Sequence, residues 1–413
     1  MNIFRSLKYR NFKLFFYGQS ISLMGTWMQK TAVSWLVYRL TGSAFLLGVV
    51  TFLSLIPSLV LSPYAGSYVD RHNRFKVMVN SQIISMLQAG ALAAMLYFRF
   101  YSMTGIILLS LLQGIVNAFD VICRQTLMID MVDNAGDLPN AIALNSTMTN
   151  LARVIGPALA GIVLSTLGED FCFISNFMSY IPVLICLYLM KMKVVVNVKP
   201  QTSLWEELKE GFEYISTEKD LMSLIVLLSV SSFFVLPFNT LMPIFAKDLF
   251  HGTAKTFSLF ESAMGFGSVL SAIYLANLKS NNHLVKTIII SGFLFGVSVL
   301  LLSFSNVLPL ALLFMVISGI GMMAQSAAIN TYIQANAAPH MRGRAISYYI
   351  MAYQGVMPVG SLLIGLLAEV LGPKEAVAIS GCIGILSVLV FIYYKKRFFA
   401  RSVPLTTLEI KKL

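Results

Sequence analysis

Few residues in this sequence carry charge. Asp, Glu, Lys and Arg make up 12% of its 413 residues, about half the share of a soluble protein. With 57% hydrophobic residues and a mean hydropathy of +0.78, there is too little polar surface to coat a water-facing globule, so lipid is the expected solvent for most of the chain. Cysteine is also scarce. Cys123, Cys172, Cys186 and Cys382 are scattered without metal or disulfide spacing, and most lie in apolar runs, where a thiol behaves as a small hydrophobe. Catalytic and nucleotide signatures are missing: no G-x4-G-K-[ST], no H-E-x-x-H and no G-x-S-x-G occurs. No cofactor, metal or catalytic residue is therefore expected, and without an ATP site any uphill work must draw on an ion gradient or on the solute's own.

What is abundant is apolar sequence in long runs. Twelve stretches approach or exceed the roughly 18 to 20 residues that cross a hydrocarbon core: 14–38, 45–65, 77–98, 104–123, 141–167, 171–190, 221–246, 256–278, 285–304, 308–335, 345–371 and 376–394. The fold class expected is all-α and membrane-embedded. Lys and Arg outnumber Asp and Glu by 30 to 18, yet no basic domain exists to track nucleic acid, because the cations sit in the short connectors. With the N-terminus placed in the cytoplasm, 23 of them fall on that side and five on the other, with Lys30 and Arg153 inside spans. That asymmetry puts both termini in the cytoplasm.

One long polar stretch divides the spans six and six. The expected organisation is a six-helix half over 1–190, a linker over 191–220, a second half over 221–395 and a cytoplasmic tail over 396–413. Within the linker, 201–218 alternates Leu204, Trp205, Leu208, Phe212 and Ile215 with Glu206, Glu207, Lys209, Glu210 and Glu213, the pattern of a short amphipathic helix at an interface. Equal halves around a charged linker are the hydropathy signature of a pseudo-twofold transporter.

Between the second and third spans runs Gly66-Ser-Tyr-Val-Asp70-Arg71-His-Asn73-Arg74-Phe-Lys76. It resembles the major facilitator signature G-x3-D-R-x-G-R-x-[RK] at every defined position but Asn73, which replaces a glycine and tolerates the left-handed turn expected there. Gly66 is expected to let helices approach closely, and Arg71, Arg74 and Lys76 to anchor the loop at anionic headgroups. Asp120 and Arg124, one turn apart in the fourth span, are expected to join Asp70 and Arg71 or Arg74 in a network that locks the cytoplasmic side of the halves and breaks as they rock. A self-contained Asp120–Arg124 pair is the simpler alternative. Arg153, in the fifth span, is assigned to the same inner gate.

Gly156-Pro157 with Gly161 in the fifth span, and Pro358 with Gly360 in the eleventh, are expected to bend their helices and admit close neighbours. A charge inside a span costs several kcal/mol unless paired or wet. Lys30 and Glu261 are therefore expected to line a central cavity, contacting polar substrate groups or carrying a proton. Gln19 and Trp27, Gln113 and Asn117, Asn239, Gln325 and Asn330, Tyr353 and Gln354 are expected to line it too, although a membrane amide often serves only an interhelical hydrogen bond.

Taken together, Trp35 to Ser43, Ala118-Phe-Asp120 with Arg124-Gln125, Leu138 to Ser146, Gly211 to Ile215 and Arg342-Gly-Arg344 resemble the bacterial exporter group that includes enterobactin and macrolide exporters. That resemblance implies a twelve-helix inner-membrane protein, monomeric and bathed in membrane lipids. It would export a siderophore, antibiotic or similar amphiphilic small molecule by alternating access, usually by proton exchange. Uptake or lipid flipping by the same fold, and a non-transporting sensor or scaffold, are the alternatives.

Overall fold

The computed structural model describes residues 4–192, 204–276, 284–339 and 341–399, and all regular structure among them is helical. The first half holds α1 (Arg10–Thr41), α2 (Ala44–Arg71), α3 (Arg74–Tyr97), α4 (Met103–Met131), α5 (Leu138–Thr166) and α6 (Glu169–Leu189). After α7 (Leu204–Thr217) come α8 (Lys219–Leu249), α9 (Ala254–Ala276), α10 (Leu284–Phe304) and α11 (Leu308–Asn336). The last two are α12 (Arg342–Leu371) and α13 (Pro373–Phe399). The linker segment 193–203 and the tail beyond 399 lie outside the described residues.

Eleven of these helices are long and apolar enough to cross a membrane. The twelfth expected span, α1, has the length, at 32 residues, but Arg10, Lys13, Gln19, Gln29 and Lys30 dilute its apolarity. It nonetheless packs against α5 and α6 as a full member of the first bundle, with Gln19 and Gln29 buried.

Local signals stop and start the helices sharply. Gly42, at φ +62°, terminates α1, and the Ser43 hydroxyl accepts from the Leu46 N–H to begin α2. The signature loop does not use the left-handed turn expected of it. Asn73 is extended, at φ −67° and ψ 102°, and its side chain accepts from the N–H groups of Phe75 and Lys76. Asparagine stands there as the N-cap of α3, a role glycine fills without a side-chain acceptor. Proline shapes the second half: α8 passes through a π turn at Ser231–Val235 and a 3-10 stretch at Leu236–Leu241 around Pro237, and α12 through a π turn at Met351–Gly355 just before Pro358.

Both described chain ends, Arg5–Lys8 and the end of α13, lie on one face of the bundle, here termed the terminal face; the other is the distal face. The halves meet along two seams, α2 with α12 and α5 with α9, the arrangement a pseudo-twofold axis generates. Buried apolar side chains fall into three cores. One, containing Trp35, Leu36, Phe173, Phe238, Phe257 and Ile364, is shared by both halves. The others belong to single halves: Phe12, Met78 and Leu127 in the first, Leu224, Ile288 and Ile333 in the second. The shared core lies toward the distal face and the separate cores toward the terminal face, so the halves are sealed distally and splayed where the chain ends lie.

The linker helix α7 docks on the second half. Ile215 is buried, Glu210 pairs with Arg344 at 2.6 Å, and the Tyr214 hydroxyl accepts from the Ala338 N–H.

Candidate functional site

At the centre of the bundle, α1 and α5 pack so tightly that a Cβ on Gly156 would stand 2.4 Å from that of Trp27. The absence of a side chain at Gly156, followed by buried Pro157, lets the Trp27 indole lie against α5. Two cations flank it. Lys30 Nζ lies 4.7 Å from the ring centroid, and the Arg153 guanidinium carbon 5.4 Å, both within cation–π range. Across the divide, the Glu261 carboxylate of α9 accepts from Asn239 Nδ2 of α8 at 2.6 Å. Glu261 and Arg153 each act electrostatically on Lys30, the first attracting it and the second repelling it. Lys30 is surrounded by protein yet exposed, so its ammonium faces an internal space.

This placement corrects one expectation. Arg153 does not belong with the signature loop. It sits midway along α5, four turns from Leu138, because the helix begins three residues before the apolar run. Its Nε is buried without a hydrogen-bond partner among the described residues, as is Asn239 Oδ1.

The remaining polar candidates are dispersed. Gln325 and Tyr353 line a small cavity of about 10 Å³ inside the second half together with Ser231 and Ser326, room for about one water. Tyr353 also stacks on Tyr349 at 6.2 Å. Asn117 donates to Ser58 within the first half, Asn330 accepts from Gln334 one turn on, and Gln354 is exposed. Gln19 Nε2 and Gln113 Oε1 are buried without partners among the described residues. A network that the sequence reading did not assemble stands behind Trp27 and Lys30. Asn176 donates to Gln29 at 2.7 Å, Gln29 to Gln88 at 3.1 Å, and Gln88 to the Leu109 carbonyl. These amides fix the rotation of α1 and hence the direction of Lys30; their only sequence signal is polarity within apolar runs.

At the terminal face, Asp120 accepts from Gln82 at 2.6 Å and pairs with Arg124 at 2.9 Å, both partners lying in the first half. Arg71 and Lys76 are exposed and Arg74 half-buried; the Asp70 side chain lies outside the described residues. Gly66 has open space where a Cβ would stand, so the close approach expected there is not made in this splayed arrangement. Gly161 and Gly360 do make theirs, against Ser258 across the α5–α9 seam and against the Phe233 carbonyl of α8. Pro358 is buried at the start of the regular part of α12.

The distal closure is polar as well as apolar. Trp35 stacks on Phe257 at 6.4 Å, Tyr38 donates to Asp248, and Glu369 accepts from the Ser43 hydroxyl and the Phe45 N–H, each at 3.1 Å. Every one of these contacts joins the two halves.

A family model described as a transmembrane secretion effector matches residues 2–406. Over 394 residues the chain is 27% identical to the staphyloferrin A transporter of Staphylococcus aureus, covering 93% of this chain and 96% of that one. Over 387 residues it is 23% identical to macrolide efflux protein A of Streptococcus pyogenes, covering 91% and 94%. A solved bacterial homologue of the iron transporter ferroportin, in an inward-facing state, superposes with a TM-score of 0.70 at 17% identity, over 93% of this chain and 98% of that one. At that identity the likeness speaks for the fold.

Proposed function

The chain belongs to the transmembrane secretion effector family of major facilitator transporters, and from that premise we propose that it exports a small amphiphilic molecule, of the siderophore or antibiotic kind, by alternating access. One observation carries the reading beyond the family. Among the described residues the halves share a core only toward the distal face, while Trp27, Lys30, Arg153, Asn239 and Glu261 converge at mid-depth below that seal. This is the arrangement of a substrate site open to one side at a time.

The reading further takes the terminal face as cytoplasmic, on the excess of Lys and Arg in its connectors. It places the protein in a bacterial inner membrane as a monomer, and couples export to proton entry through Glu261, the one acidic side chain of the central cluster. Rocking would open the distal contacts and bring the terminal ends of α2 and α12, and of α5 and α9, together around the signature loop.

Energised inverted membrane vesicles test direction and coupling together. They are expected to accumulate a compound from a siderophore and macrolide panel, and to lose it on collapse of the proton gradient. Accumulation by whole cells instead would mark uptake, and accumulation that survives the collapse would remove proton coupling.

A further inference from the structure

Taking the export reading as its basis, we infer that the transported molecule is an organic anion, held between Lys30 and Arg153 against the face of Trp27. The central cluster contains two cations and one carboxylate, and its parts are unequally satisfied. Glu261 already accepts from Asn239 at 2.6 Å. Arg153 has its Nε buried and unpartnered among the described residues, and both cations rest on one aromatic ring. An indole face offsets only part of the cost of removing a cation from water. The cluster thus presents net positive charge at mid-membrane depth, and Lys30, the member exposed to the internal space, presents it to whatever enters.

Each class of substrate meets this geometry differently. A cation arriving there is repelled by Lys30 and Arg153 and finds Glu261 partly engaged. A neutral molecule leaves the excess charge unpaired. An anion satisfies Lys30 and the guanidinium of the half-buried Arg153 with charge-assisted hydrogen bonds, and any planar or apolar part of it lies on Trp27. A carboxylate on the substrate then competes with Glu261 for Lys30. That competition gives the site a reason to hold substrate and Glu261 pairing as alternatives.

The test uses the full chain in lipid nanodiscs with Trp35→Phe and Trp205→Phe, which leaves Trp27 as the sole tryptophan of the three. The probes are trimesate, a planar benzene tricarboxylate, its neutral trimethyl ester, and the aromatic cation tetraphenylphosphonium. Trimesate is expected to quench Trp27 saturably, and the ester to bind about tenfold more weakly or less. Lys30→Met and Arg153→Met are each expected to weaken trimesate by about tenfold, Lys30→Arg to retain it, and Glu261→Gln to tighten it. Failure of trimesate to bind the folded Trp27-only chain overturns the inference, as does equal binding of the ester or a preference for the cation that Lys30→Met strengthens. Equilibrium dialysis of acid and ester against the unsubstituted chain makes the same comparison without any variant having to fold. Vesicles that export macrolides while trimesate fails to bind would leave export standing and remove the anion; binding without export of any compound would do the reverse.

Discussion

Tyr38, near the end of α1, donates its hydroxyl to the carboxylate of Asp248 in α8, a hydrogen bond that joins the two halves across the distal face. Lys247 lies over the same tyrosine ring at 5.3 Å, and Glu369 of α12 caps the start of α2 across the α2–α12 seam. A hydrogen bond to a charged acceptor contributes about 1.5–3 kcal/mol. Set against the apolar core beneath it, the bond trims the balance between distal-closed and distal-open forms without deciding it alone.

Tyr38→Phe is therefore expected to raise the distal-open population by about tenfold, since about 1.4 kcal/mol is a factor of ten. Spin labels at Leu167→Cys and His251→Cys, both exposed at the distal face, would report it as an added longer distance, with Cys382→Ser removing the exposed native thiol. An unchanged distance distribution would show that Tyr38 and Asp248 do not latch the halves. Glu369→Gln acts on the α2–α12 seam, and because Glu369 also acts electrostatically on Tyr38, its effect is expected to depart from simple addition to that of Tyr38→Phe.

The two acidic residues assigned to the inner gate should part company on substitution. Asp120 and Gln82 are buried and Arg124 is half-buried beside them, so Asp120→Asn leaves a partly desolvated guanidinium uncompensated, a cost of up to about 3 kcal/mol. Reduced expression and a lowered melting temperature are expected. Asp70→Asn, in the signature loop, is expected to leave expression near normal and impair transport. Normal melting of Asp120→Asn would make it a mobile gate residue, and normal transport by Asp70→Asn would take the loop out of the gate.

Much of this architecture was legible before any coordinates. Apolar runs give span number because a bilayer demands a fixed length of unbroken helix, and Lys30 and Glu261 stand out because charge in a span needs a reason. Neighbours were harder to read. A shift of one residue turns a helix face by about 100°, so Arg153 looked like a gate residue until α5 proved to start at Leu138 and to aim it at Trp27. Tyr38 and Asp248 were invisible as a pair, lying 210 residues apart at span ends, where polar side chains are ordinary.

Gly156 and Gly66 offer a matched comparison. A Cβ at Gly156 would meet Trp27 at 2.4 Å, whereas one at Gly66 would meet nothing within 4 Å. Gly156→Ala is expected to cost about 1–3 kcal/mol through overpacking, seen as a lowered melting temperature with altered Trp27 fluorescence. Gly66→Ala is expected to melt like wild type. A transport defect in that variant would mean that Gly66 makes its close contact in the distal-open form, where the terminal ends of the helices converge. Equal melting of both variants would contradict the packing described around Trp27.

The N-terminal segment supplies a pH prediction outside the spans. Arg5 and Lys8 pair with Asp137 at 3.1 and 2.8 Å, and the Tyr9 hydroxyl donates to the same carboxylate. The Lys8 bond, then that of Tyr9, holds the Asp137 carboxyl below its ordinary range, and the same bond to Asp137 raises Lys8 above its own. A depressed carboxylate contributes stability that is present above its unfolded pKa, about 3.9, and lost as pH falls through the lower folded value. For the raised lysine the contribution is present below about 10.4 and lost as pH climbs through the higher folded value. The segment should thus stay fastened across the neutral range and release at both extremes. A spin label on Phe4→Cys is expected to be immobile at pH 7, to sharpen below about pH 4, and to be sharp at pH 7 in Asp137→Asn. A label equally immobile in that variant would shift the fastening to the bonds that the Ser6 hydroxyl donates to the Asp137 carbonyl and the Ser6 N–H donates to Asn140 Oδ1.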